Sequence, residues 1–170
     1  KITNCEVTKG NIKGEQFTND TVTLSGNNVG GLIGATTSVN TANIAVSNCK
    51  YNGTVNGVDN LGGLVGDNSR YMDQSICEDV TVSGNDNVGG LIGYSHAQYG
   101  VDVSNSSVNN GTVTGNDNIG GLIGKNSRNV LNCNTNAKVT GANNVGGLIG
   151  LSNLTSISDS YATGDVKATG

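Results

Sequence analysis

Few side chains in this 170-residue chain have a type and spacing that chemistry could use. Its 13 acidic residues are scattered through turn-like stretches, and no acid pair recurs at a fixed offset. Glu78-Asp79 comes nearest, and reads as a solvated edge. Glycan cleavage needs two carboxylates, or a carboxylate and a basic group, on one face. No catalytic residue is therefore assigned, and the chain is expected not to be an enzyme. The Asp/Asn turns offer at most one carboxylate each, whereas calcium wants several oxygens. The four cysteines lack the paired C-x-x-C spacing of a metal site. No metal and no cofactor are expected. Tyr94, His96 and Tyr99 fall close together. Aromatic rings can stack on sugars, so these three form a candidate binding loop, with ordinary loop packing as the plainer explanation.

What positions these residues is a repeat. Five hexapeptides read Val29 to Gly34 (VGGLIG), Leu61 to Gly66 (LGGLVG), Val88 to Gly93 (VGGLIG), Ile119 to Gly124 (IGGLIG) and Val145 to Gly150 (VGGLIG). Their starts are 32, 27, 31 and 26 residues apart. Self-similarity at 20–50 residues marks stacked units, each burying its apolar side only against its neighbours. Upstream of each hexapeptide lies a polar–aliphatic–polar triplet: Thr21-Val22-Thr23, Thr54-Val55-Asn56, Thr81-Val82-Ser83, Thr112-Val113-Thr114 and Lys138-Val139-Thr140. That is the period-two pattern of a half-buried strand with its aliphatic residue inward. Gly/Asn/Asp turns follow each triplet, and these residue types tolerate positive φ. A third segment carries a small residue at one position: Cys5, Cys49, Cys77, Ser106, Cys133 and Ser160.

Three short extended segments per period, separated by turns, predict an all-β fold: a right-handed parallel β-helix with about three strands per coil and five to six coils. Residues 1–170 form one repeat domain, with units at about 1–34, 35–66, 67–93, 94–124 and 125–150 and a partial sixth at 151–170. The first unit is longer, which places an insertion within Lys9 to Asn19. Longer loops are expected at Ala35 to Ala45 and Tyr94 to Val103, and Asn68-Ser69-Arg70 recurs as Asn126-Ser127-Arg128. Like positions should stack about 4.8 Å apart, giving aliphatic, hydroxyl and amide ladders. Strict alternation within the hexapeptide would put Leu and Ile on opposite faces. Val and Leu are expected inward, with Ile33 and its equivalents partly covered by loops. The cysteines are read as stacked at one repeat position. Buried free thiols are favoured, with a disulfide between neighbouring coils the alternative.

The totals agree with a thin column rather than a ball. Hydrophobic residues are 34 %, and Gly and Asn each number 27. Charge is −4 at a pI near 4.7, with no basic patch, so nucleic acid is not an expected partner. No apolar run approaches the roughly 20 residues of a membrane helix, so membrane insertion is not expected either.

The segments Gly31-Leu32-Ile33-Gly34, Gly63-Leu64-Val65-Gly66, Gly90-Leu91-Ile92-Gly93, Gly121-Leu122-Ile123-Gly124 and Gly147-Leu148-Ile149-Gly150 resemble the GLUG motif. Such repeats occur in large bacterial surface proteins, including adhesin-like proteins and the non-catalytic part of immunoglobulin A metallopeptidases. The resemblance implies an extracellular, cell-surface setting and carries over no catalytic residue. It suggests a structural stalk or adhesin-like segment of a longer chain or fibre. Its partners would be further repeats of the same chain, or neighbouring subunits end to end, and a host surface protein or glycan. A carbohydrate- or surface-binding module using the Thr ladder is the alternative, although Asn56, Ser83 and Lys138 interrupt that ladder. A polysaccharide-cleaving β-helix ranks below both.

Overall fold

The computed structural model describes residues 2–13, 17–19, 22–24, 26–37, 45–96, 102–153 and 155–170. The fold is all-β, with no helix among the described residues. It is a solenoid of parallel sheets. Val82 pairs with Val55 on one side and Val113 on the other, and Val113 pairs with Val139. Gly30, Gly62, Gly89, Gly120 and Gly146 line up in one row of register partners. The two sheets built from the hexapeptides are five strands deep, so four turns separate the first rung from the last.

The third, fourth and fifth coils each hold five short strands, where the sequence predicts about three. In the third coil they are Tyr71–Asp73, Ile76–Glu78, Thr81–Ser83, Asp86–Gly89 and Ile92–Ser95. The extra breaks come from single left-handed residues. Asn48, Gln74, Asn105 and Asn132 have φ between 48° and 52°, and each divides a segment expected to be continuous. Asn28, Asn60, Asn87, Asn118 and Asn144, just ahead of the hexapeptides, are left-handed too, with φ between 49° and 57°, and the last four do not end their strands. Asparagine tolerates this region where a branched residue would not.

The second set of asparagines also forms an amide ladder. The Nδ2 of Asn60 donates to Oδ1 of Asn28 (2.8 Å), Asn87 to Asn60 (2.8 Å), Asn118 to Asn87 (2.9 Å) and Asn144 to Asn118 (2.9 Å). Asn87 thus has two roles, one conformational and one bonding, and two substitutions separate them. Asn87→Gly keeps the left-handed backbone and should cost about 1 kcal/mol for the lost amide contacts. Asn87→Ala should cost about 1 kcal/mol more for the strained φ. Urea denaturation of both variants checks this, and equal losses would mean the backbone contributes nothing.

The hexapeptide does not run as one strand. Gly and Leu form a bend between two strands, and the Leu carbonyl accepts two amides of the neighbouring coil. The Leu91 oxygen takes the N–H of Leu64 (3.0 Å) and of Val65 (3.1 Å), and Leu122 does the same for Leu91 and Ile92. The bend breaks strict alternation, so Leu and Ile both turn inward. Leu64, Val65, Leu91, Ile92, Leu122 and Ile123 are all fully buried. This corrects the expectation that Ile33 and its equivalents lie outside the column; Ile33 and Ile149 are half-buried because they sit on the end rungs.

Gly is required at this bend by close approach. A Cβ on Gly89 would sit 2.0 Å from the Ile92 carbonyl oxygen of its own coil. A Cβ on Gly121 would sit 2.1 Å from the carbonyl oxygen of Gly147, the equivalent residue one coil on. The candidate repeat residues Gly31, Leu32, Gly63, Leu64, Gly90, Leu91, Gly121, Leu122, Gly147 and Leu148 therefore occupy one structural position, coil after coil.

Two registers differ from the sequence expectation. Cys77 pairs with Tyr51 and Val108, not with the other cysteines. The residue stacked beside Cys49 is Ser75, whose Oγ accepts the Cys49 N–H. The left-handed residue ahead of it is Gln74 rather than Asn, which hides the equivalence. A slip of two residues keeps the same face, so Cys77 is still buried. In the first coil the strand position belongs to Asn11-Ile12-Lys13, since Ile12 pairs with Val55. Val22–Leu24 instead pairs antiparallel with Phe17–Asn19. The insertion thus begins after Lys13, because Asn11-Ile12-Lys13 and Thr21-Val22-Thr23 share one pattern and only pairing distinguishes them. Residues 38–44 and 97–101, the centres of the two expected long loops, lie outside the described residues.

Candidate functional site

One flank of the solenoid gathers the residues with chemical potential. The last strand of each coil puts Asp67, Tyr94 and Lys125 on its outer face as successive register partners. Their neighbours Asn68, Ser95 and Asn126 point inward and are fully buried. The two buried amides, Asn68 and Asn126, need partners, and each closes its own turn. Asn68 Nδ2 donates to the Arg70 carbonyl (2.8 Å) while its Oδ1 accepts the Arg70 N–H (3.1 Å). Asn126 repeats this with Arg128, at 2.7 and 3.2 Å. The recurrent Asn-Ser-Arg is therefore a turn module, with its amide acting as a local cap.

The structure brings Tyr94 and His96 together; Tyr99 lies outside the described residues. The two rings have centroids 3.7 Å apart, tilted by 36°. Lys125 Nζ lies 4.9 Å from the Tyr94 ring centroid, in cation–π range. His96 Nε2 is 3.0 Å from Asp67 Oδ1 and 3.1 Å from Oδ2. This pair is partly exposed, so even with His96 protonated it contributes little to stability.

Beneath it lies Arg128, which is 3 % exposed. Its Nε donates to the His96 carbonyl and its Nη1 to the Arg70 carbonyl (2.6 Å), so one guanidinium links three coils. Burial lowers its pKa to about 10, against the opposing pull of the Asp102 charge. Sequence inspection singles out the Asn-Ser-Arg recurrence, but not that one of its two arginines would be buried.

A second line of charge runs along the turns. Asp59, Asp86 and Asp117 are stacked register partners, and Asn143 takes the next place. Burial first, then Asp59 and Asp117, push the Asp86 carboxyl above the usual carboxylate range. A carboxyl raised in this way holds its proton more tightly folded than unfolded. Stability therefore falls as pH rises from the unfolded carboxylate range, near 4, to the raised value, and the penalty is fully present at neutral pH. Asp86→Asn copies what Asn143 already does. It should raise the melting temperature at pH 7 by ~2–4 °C and weaken the gain in stability on acidification. A lower melting temperature at pH 7 would mean that the Asp86 carboxylate is a net stabiliser.

Among the described residues no three His, Cys, Asp or Glu side chains converge to hold a metal ion. No helix among them is long and apolar enough to cross a membrane. None of the curated proteins and none of the solved structures compared with the chain matches it. Residues 141–167, which hold the fifth hexapeptide, match the family described as the GLUG motif. The other four hexapeptides stand in register with this matched one, so the GLUG-like bend recurs from coil to coil of the β-solenoid.

Proposed function

We propose that this chain is a non-catalytic structural segment of an extracellular, bacterial cell-surface protein, a stiff adhesin-like spacer that holds other parts away from the cell. The observation that carries this reading is the unbroken register of the Gly row and the Val column, coil after coil. Among the described residues, Val55, Val82, Val113 and Val139 fill the column and are buried. The GLUG resemblance supports the setting. Its partners in this reading are further repeats, or neighbouring subunits, stacked end to end by strand pairing. Neither nucleic acid nor a membrane is a partner in this account.

The test is to display the chain on bacteria between a wall anchor and an epitope tag. Antibody should reach the tag on intact cells, and should reach it poorly when a Gly/Ser linker of equal length replaces the chain. Equal access through the flexible linker would remove the case for a spacer. Binding of a glycan along the Asp67–Tyr94–Lys125 flank is the alternative, favoured by the half-buried ring and charges there. Retention on a polysaccharide column that is lost in Tyr94→Ala would establish it.

A further inference from the structure

The first coil packs on the second, and its Ile2, Cys5 and Val7 are partly buried. A pair of thiols spans the junction to the second coil. Ile2 pairs with Val46 and Thr3 with Ser47 on one side of the pair. On the other side Glu6 pairs with Lys50, and the Lys50 N–H donates to the Cys5 carbonyl (2.7 Å). Cys5 and Cys49, each in the break between two strands, are thereby held as direct neighbours in adjacent coils. Strand spacing of about 4.8 Å is within the Cα range of a disulfide.

The thiols turn toward the same corner. Cys5 Sγ contacts the Thr3 carbonyl (3.5 Å), and Cys49 Sγ contacts both the Ser47 carbonyl of its own coil (3.3 Å) and the Ile2 carbonyl of the first (3.9 Å). The other two cysteines lack a thiol neighbour. Cys77 is flanked by Tyr51 and Val108, and Cys133 stacks beside Ser106 and Ser160. All four are free thiols in the structure.

We propose that Cys5 and Cys49 form a disulfide clip that fastens the first coil to the second when the chain meets an oxidising environment. Cys5 is the accessible partner, while Cys49 is fully buried and its thiol is pushed up in pKa, by burial first. The Cys5 thiolate therefore attacks a low-molecular-weight disulfide, forming a mixed disulfide and releasing one thiolate. Cys49 then loses its proton and attacks the Cys5 sulfur, displacing the second thiolate. Two protein thiols are oxidised, and one small disulfide is reduced to two thiols.

The test equilibrates the chain with glutathione disulfide or with excess reduced glutathione, then quenches with acid. Thiol titration after denaturation should fall from four to two, and peptide mapping should find Cys5 joined to Cys49 within one chain. The oxidised form should melt on the order of 5–10 °C higher, as expected for closing a long loop. Cys5→Ser should abolish both changes, and it should fold, because Ser75, Ser106 and Ser160 already occupy this repeat position. Cys77→Ser and Cys133→Ser should leave both changes intact. Four titratable thiols after oxidation, a persistent glutathione adduct on Cys5, a link between chains, or a correct link without a melting shift would each overturn the proposal.

Discussion

Val113→Asp is expected to unfold the solenoid at 25 °C, seen as loss of the strand signal in circular dichroism. Val113 is fully buried between Val82 and Val139. The substitution forfeits about 1.5–3 kcal/mol of aliphatic burial. It also leaves a carboxylate with no cationic partner in the column, which costs several kcal/mol more or forces it to protonate. The sum is of the order of the whole stability of a domain this size. The adjacent Thr112→Asp is the control. Thr112 is exposed and pairs with Lys138, so an acid there should change stability by no more than ~0.5 kcal/mol. Equal melting curves for Val113→Asp and the parent would show that the Val column is misplaced.

The second large effect separates two glycines at one motif position. Gly121→Ala should destabilise by about 3–5 kcal/mol, because the new Cβ meets the Gly147 carbonyl at 2.1 Å and only backbone movement relieves it. Gly147→Ala should cost ~1 kcal/mol or less, because its nearest neighbour would be the Ala162 Cβ at 3.1 Å. The two residues differ in whether a further GLUG bend stacks upon them. Similar losses in urea denaturation would mean that glycine is needed for backbone conformation alone, and would argue against the close coil-to-coil approach.

How much of this was legible in the sequence depends on whether a signal was local or came from pairing. The hexapeptide row and the inward Val55, Val82, Val113 and Val139 could be read directly, because period and alternation are written into adjacent residues. The turn asparagines were legible by residue type, and their amide ladder follows from stacking. The division of the third to fifth coils into five strands was not, because one left-handed Asn or Gln within a polar stretch leaves no pattern. The inward turn of both Leu91 and Ile92 needed the geometry of the bend, where one carbonyl takes two amides. Cys77 and the first-coil triplet misled for one reason: two candidate segments lay close together, and only inter-coil hydrogen bonds chose between them. One clue was available. Val55, Val82, Val113 and Val139 each stand seven residues before the first Gly of their hexapeptide, whereas Val22 stands eight before Gly30.

On the flank, Tyr94 and His96 were legible as neighbours in sequence. The burial of Arg128 was not, since its carbonyl partners belong to His96 and Arg70, one and two coils away. Charged residues in such a polar chain read as solvated by default. The stacked Asp59, Asp86 and Asp117 were visible only as turn residues, and their mutual repulsion appears once the coils are superposed.

The most direct test of the whole account is a nuclear Overhauser spectrum of the isotopically labelled chain. Methyl cross-peaks should run from Val82 to Val113 and from Val113 to Val139, across gaps of 31 and 26 residues. A spectrum in which the Val113 methyls contact only residues of their own repeat would contradict it.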